Sequence, residues 1–359
     1  MGKESTKNIK SEVGKGEFTE QKWKEICQKF PEANFLQSPS YQKMCEQLGF
    51  KTVVEDFDRK GHALMIVRDA KRGRYLEIPC GPLIDWSDKN LAKKVISQIR
   101  EVAAGEKCVF VRIRPQLRAN ADNLKTLREL GLKESPMHLA AEHTVMIDLI
   151  KTEEELLSNM RRQTRYEVRR AEKLGVEVIS DNSEEIFQDF HKTQVATAKR
   201  QNFIPPDMPT LKAEKEAFGE NIRIYIARVA DSNSTDEADE QSKAKRELAV
   251  AYGLIIRDGR EGDYYEAAST ELNRKIPGAY ALLWRAMRDL KAEGCERFNL
   301  WGIAPKGQPN HRYAGVTTFK TGFGGEVVEY VPAHDLVISK VGYLKDLIVE
   351  KARKKKRHL

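Results

Sequence analysis

The chain lacks the cysteine spacing of a disulfide frame or a zinc site. Its five cysteines (Cys27, Cys45, Cys80, Cys108, Cys295) are odd in number, scattered, and include no C-x-x-C pair. They read as free thiols of a reducing compartment. The seven histidines form no H-x-x-x-H or H-E-x-x-H pattern, so no metal is expected. No window approaches the roughly 18 apolar residues of a transmembrane helix. The opening MGKESTKNIKSEVGKGE has no apolar stretch of the kind a signal peptide carries. Together these absences predict a cytoplasmic protein with no cofactor metal.

What is present is a charged chain with enough apolar content to fold. With 40% hydrophobic and 32% charged residues over 359 positions, it reads as globular and long enough for two cores. A formal charge of +8 and a pI near 9.0 favour polyanions such as RNA, nucleotide phosphates or an anionic membrane face.

The order of elements divides the chain. Residues 1–16 read as a polar tail. A first half, 17–150, carries helices at 19–30 and 41–48, strands at 62–67 and 74–79, a helix at 89–103, a strand at 108–113, a helix at 122–130 and a strand at 143–149. A second half, 151–335, opens on a helical stretch at 151–175, signalled by the Thr152/Glu155 capping box. Strand 176–179, helix 184–200, a break at NFIPPDMP and a helix to Phe218 follow. Strands 223–228 and 247–257 flank the acidic loop 231–246, expected to be disordered. Strand 263–270 leads to an amphipathic helix through Leu282, Leu283, Ala286, Met287 and Leu290. The last segment, 336–359, reads as a helix to about Val349 and a basic tail. This alternation predicts a mixed α/β (α+β) fold whose halves resemble acetyltransferase (GNAT-like) domains.

Two stretches carry candidate chemistry. In 151–175, Arg161, Arg165 and Arg169 recur every four residues with Arg162 and Lys173 beside them, a basic track suited to RNA phosphates or a solvated face. In 298–325, FNLWGIAPKGQPNHRYAGVTTFKTGFGG, a short apolar strand and loop precede a helix that brings Phe319 and Lys320 to a glycine cluster. A lone helical lysine is most often solvated.

QSPSYQ, GPLID, RRQTRYEVRRAEKLGV, YYEAAS, GAYALLWRAM, NLWGI and TTFKTGFGGE occur in this order between Asn34 and His334. In these motifs the chain resembles the Fem family of aminoacyl-tRNA-dependent peptidyltransferases of peptidoglycan. The resemblance implies two tandem GNAT-like domains. Pro205, Pro206 and Pro209 break the region where many members insert a coiled-coil arm, as in the compact FemX type.

It further implies transfer of an amino acid from aminoacyl-tRNA to the stem-peptide amine of a UDP-linked or lipid-linked muropeptide. Lys320 would stabilise the oxyanion, and Phe319 would pack on the terminal adenosine. Tyr264, Ser269, Trp301 and Gly302 fall in substrate-contacting motifs. The compact type's basic residues for uridine diphosphate fall near Cys45 and Pro206, with Lys43 and Arg200 nearby. The resemblance assigns tRNA to Arg161, Arg162, Arg165, Arg169 and Lys173.

The family aspartate proposed to handle the amine's proton falls at Arg114, and a substrate-strand tyrosine falls at Glu266. Strand alternation puts Tyr264 and Glu266 on one face, which makes Glu266 a candidate base. The tail KKKRHL is a candidate contact for an anionic membrane.

Two other readings stay open. An acyl-CoA-dependent GNAT would bind coenzyme A at 275–280, although that loop holds only one glycine and has Tyr280 where a small residue is needed. A non-catalytic RNA-binding protein would use only the basic helix.

Overall fold

The computed structural model describes residues 18–71, 73–201, 203–231 and 247–357, with backbone alone for 353–357. The polar tail 1–16 and all but Asp231 of the acidic loop lie outside the described residues. The strands of the first half are β1 (Thr52–Asp56), β2 (Gly61–Ala70), β3 (Gly73–Pro79), β4 (Leu83–Ile84), β5 (Phe110–Arg114), β6 (Lys133–Glu134) and β7 (His143–Asp148). Those of the second are β8 (Glu177–Asp181), β9 (Ile222–Ala230), β10 (Glu247–Asp258), β11 (Glu261–Ser269), β12 (Arg297–Asn299), β13 (Glu326–Glu329) and β14 (His334–Val337).

They build two sheets. The first runs β1-β2-β3-β5-β14-β6 with β4 on β2, and the second runs β13-β7-β12-β11-β10-β9-β8. The halves exchange their last strands. β7, expected with the first half, pairs antiparallel with β12 and β13. β14 returns to lie antiparallel between β5 and β6. Leu336 and Val337, expected in the terminal helix, therefore belong to a strand, and the helix runs Lys340–Arg357. Arg112 on β5 holds that helix down: it donates to Asp335 at 2.8 and 3.0 Å and to Glu350 at 2.7 and 3.0 Å. A buried guanidinium with two bidentate carboxylates is geometrically specific. Among the described residues no helix is long and apolar enough to cross a membrane.

Apolar packing follows the sheets. Helix Lys89–Gly105 lays Val95, Ile96 and Ile99 on the first sheet. Helix Gly278–Ala292 lays Leu282, Leu283, Ala286 and Met287 on one face of the second, together with Leu156, Val168 and Phe323. Gly278 is required there, because a Cβ would meet Val250 at 2.6 Å. The opposite face packs on helices Glu184–Gln201 and Met208–Phe218, and on Phe35, Leu36, Met44 and Cys45 from the first half. The two faces of β11 thus have different neighbours.

Candidate active site

Sequence spacing predicts one helix over 151–175; the chain forms two, Glu153–Asn159 and Arg162–Lys173. The capping box at Thr152 and Glu155 is present. At Met160 and Arg161 ψ opens to 147° and 144°, and the Arg161 amide bonds Gly322 O at 2.8 Å instead of continuing the helix. This break brings the basic helix against helix Ala314–Thr321, which carries Lys320. Gly324 makes the close approach possible: its φ is +81°, and a Cβ would lie 2.1 Å from Asn159 O.

Before that helix, the chain leaving β12 is fixed residue by residue. Leu300 N and Ile303 N donate to Val145 O and His143 O at 2.9 and 3.0 Å. Asn299 Oδ1 accepts from Trp301 N at 3.0 Å and from Thr144 Oγ1. Trp301 takes φ +60°, a conformation costly for a bulky residue and one that surrounding contacts must enforce. The turn aims Gly302 O inward, and Lys320 Nζ donates to it at 3.0 Å.

Lys320 is only 8% exposed. Its Nζ stands 5.7 Å from the centroid of Tyr264, and Gly302 O is its one hydrogen-bond partner among the described residues. Burial pushes its amine from 10.5 down to about 7. Phe319, half-buried, meets Tyr280 and Phe323 edge-on at 4.9 and 5.4 Å. A buried cation with one neutral partner is a donor available to an oxygen that gains charge.

Glu266 does not share this site. The β10–β11 register shifts: Leu254 pairs with Glu266 and Ile255 with Tyr264, leaving Tyr265 as a bulge. The bulge resets the alternation, so Tyr264 packs in the cluster with Leu282 and Phe298. Tyr265 and Ala268 pack in the cluster on the other face. Glu266 lies with them, and its Oε2 accepts from Gln194 on helix Glu184–Gln201 at 2.7 Å. The shared face predicted from uninterrupted alternation is therefore corrected.

The basic residues divide by use. Arg161 donates to Thr318 O and Thr321 Oγ1 at the end of the Lys320 helix. Arg165 donates to Leu157 O and Ser158 O in the last turn of helix Glu153–Asn159 and to Met160 O just past it. Both are C-terminal caps. Arg162, Arg169 and Lys173 are exposed and lie on one stripe of their helix with Tyr166, which is 58% exposed.

Lys43 donates to Glu216 O at 3.1 Å. Arg200 pairs with Glu271 at 3.1 Å and donates to Thr197 Oγ1 and Ser269 O. Arg114 is buried, with Cys80 Sγ and Gln116 as partners and Tyr330 under its guanidinium. At the loop where coenzyme A would bind, the Ala279 amide is taken by Asn273 Oδ1 at 3.0 Å. Tyr280 fills the space with Phe319 and Phe323. Among the described residues no group of three His, Cys, Asp or Glu side chains could hold a metal. Sequence reasoning missed Asn299 and Gln194, whose roles depend on long-range packing with no local signal.

The sequence matches the FemAB family over residues 18–241 and 230–351. It is similar to Aminoacyltransferase FemA of Staphylococcus aureus (strain MRSA252), 20% identical over 320 residues covering 70% of this chain and 76% of that one. Its structure is similar to a crystal structure of FemX (TM-score 0.79, 16% identity, 92% of this chain and 98% of that one). It is also similar to L-PGS from Bacillus licheniformis (TM-score 0.55, 11% identity, 95% and 98%). At these identities the structural likeness shows the fold, and the tandem α/β architecture expected from the sequence is borne out.

Proposed function

The chain belongs to the FemAB family, and on that premise we propose that it transfers an aminoacyl group from aminoacyl-tRNA to the primary amine of a peptidoglycan stem peptide. The observation that carries this reading is Lys320, a buried amine with a single carbonyl partner among the described residues. In the reaction the acceptor amine adds to the ester carbonyl and a tetrahedral oxyanion forms. The C–O bond to the tRNA ribose then breaks. The proton lost by the amine ends on the departing ribose oxygen, so the net transfer consumes no base. The Lys320 ammonium turns from Gly302 O to the oxyanion, a donor contribution of about 3–4 kcal/mol in a dry site. Half-buried Phe319 stacks on the terminal adenosine.

Exposed Arg162, Tyr166, Arg169 and Lys173 suit a tRNA backbone and an unstacked base. Trp301, Gly302, Tyr264 and Ser269 border the acceptor, with Lys43 and Arg200 at its far end. A lipid-linked acceptor is favoured by the terminal helix. Val341, Leu344 and Ile348 are 71%, 56% and 61% exposed there, and the sequence continues into KARKKKR, the pattern of an anionic membrane surface contact on the cytoplasmic side. Incubation with charged tRNA and UDP-linked or lipid-linked muropeptide, followed by mass, tests the proposal. An added aminoacyl mass that depends on Lys320 is the expected result, and no adduct with either acceptor overturns it.

A further inference from the structure

Two asparagines from opposite halves of the chain meet on one buried carboxylate. Asn34, which caps the short helical turn Phe35–Gln37, donates from Nδ2 to Glu261 Oε1 at 2.7 Å. Asn299, at the end of β12, donates from its own Nδ2 to the same oxygen at 3.3 Å. Backbone amides fix both side-chain orientations. Leu36 N donates to Asn34 Oδ1 at 3.2 Å, and Trp301 N donates to Asn299 Oδ1 at 3.0 Å. Each side chain must therefore turn its NH2 group toward Glu261. Asn34, Glu261 and Asn299 are 1%, 2% and 2% exposed, which keeps these bonds away from bulk water.

Charges inside the cluster cancel. Arg297 Nε donates to Glu261 Oε2, and Arg297 Nη2 donates to Ala33 O at 2.9 Å, beside Asn34. Burial and the neighbouring Glu261 hold the Asp263 carboxyl well above the ordinary range, which leaves Glu261 as the carboxylate that Arg297 pairs with. Asn34 Nδ2 also lies 3.2 Å from Asp263 Oδ1. A buried polar network of this kind is stiff when complete and costly to break at one member.

The network holds the turn that precedes the reaction centre. Asn299 Oδ1 and Trp301 N close an Asx turn. Trp301 takes φ +60° in it, a backbone region that a bulky residue keeps only under constraint. Its ring is braced from the same first-half segment, with Phe35 5.7 Å away. Gly302 O, one residue on, is the acceptor that Lys320 Nζ uses at 3.0 Å. A chain of hydrogen bonds thus runs from Asn34 through Glu261 and Asn299 to the Trp301 amide.

We infer that Asn34 and Glu261 are positioning residues for the Lys320 site. With Asn299 they carry the docking of the Phe35–Gln37 turn to the Trp301 turn, and so set where Gly302 O meets the Lys320 amine. Their effect on turnover rests on the transferase reading above; their hold on Lys320 does not.

The test titrates Lys320 itself. In the full chain labelled with carbon-13 at lysine Cε, the Lys320 resonance is the one absent from Lys320→Met. Asn34→Ala removes the far end of the chain of bonds. Asn299→Ser keeps a hydroxyl that can accept from the Trp301 amide but is too short for Glu261, and supplies the readout if Asn34→Ala folds poorly. Either variant is expected to lower the Lys320 midpoint by about half a pH unit or more, because the carbonyl that favours the ammonium is no longer held against it. Trp23→Phe is the control. It breaks another bond between the halves, Trp23 Nε1 to Asp258 at 2.8 Å, and is expected to lower Tm while leaving the midpoint in place. An unmoved midpoint in the folded variants overturns the positioning role, and so does an equal shift in Trp23→Phe. In the transfer assay both variants are expected to lose about tenfold in kcat, with KM for either substrate unchanged. A shifted midpoint in a chain without transfer activity refutes the transferase reading and leaves the positioning role standing; active transfer with no shift does the reverse.

Discussion

Replacing Lys320 by Met tests the site through two quantities that move in opposite directions. The amine is lowered from 10.5 to about 7 by burial, which corresponds to roughly 5 kcal/mol set against the charged form. Met keeps the stem and removes the charge. The variant leaves Gly302 O without its donor, at about 1–3 kcal/mol. The net expectation is a gain of about 2–4 kcal/mol at acid pH, read as a Tm rise of at least roughly 4 °C.

The sign of the pH dependence follows from linkage. The folded pKa lies below the unfolded one, so between about pH 7 and 10.5 the unfolded chain binds more protons. Wild-type stability therefore climbs across that window. The advantage of the variant is fully present below pH 7 and closes toward 10.5. Turnover is expected to fall about 100- to 1000-fold. In the wild type, kcat/KM should lose its cation with an alkaline limb near pH 7, because it reports the free enzyme. Calorimetric melts at pH 6 and pH 9, paired with single-turnover transfer assays, supply both readouts. Near-normal turnover in Lys320→Met refutes the oxyanion role. Lost turnover without added stability at pH 6 refutes the buried charge.

Changing Arg162, Arg169 and Lys173 together to Gln should weaken tRNA binding and lower its salt slope by about 0.9 for each phosphate no longer neutralised; an unchanged slope returns the stripe to solvent. Arg161→Gln or Arg165→Gln should instead lower Tm, since these side chains cap helix ends, with a cost of about 1–2 kcal/mol. Glu266→Gln should keep the acidic limb of the pH–rate profile, because Glu266 bonds Gln194 on the face of β11 away from Lys320, and loss of that limb would restore it as the base. Gly324→Ala should destabilise by more than about 1 kcal/mol, because φ is +81° and Asn159 O is in the way. A melt equal to wild type would refute that packing.

The local signals of the sequence were sufficient for most elements. The capping box at Thr152, the apolar stripe of helix Gly278–Ala292 and the runs that became β2, β3 and β5 are legible because side-chain period is a short-range property. The motif order, with Phe319 and Lys320 ahead of the glycine cluster, was also enough to find the family. Tertiary structure decided the rest. Lys320 looks like any exposed helical lysine until the Trp301 turn and Tyr264 enclose it. One bulged residue, Tyr265, put Glu266 on the other face of its strand, and no periodicity announces a bulge. Arg161 and Arg165 read as part of a phosphate track, but the distant Thr318 carbonyl claimed the first and carbonyls across the helix break claimed the second. The exchange of β7 and β14 between sheets is likewise invisible locally, since a strand's own residues specify that it pairs but not with which partner. Burial, register and pairing are set by residues distant in sequence, and those three fixed the chemistry of this site.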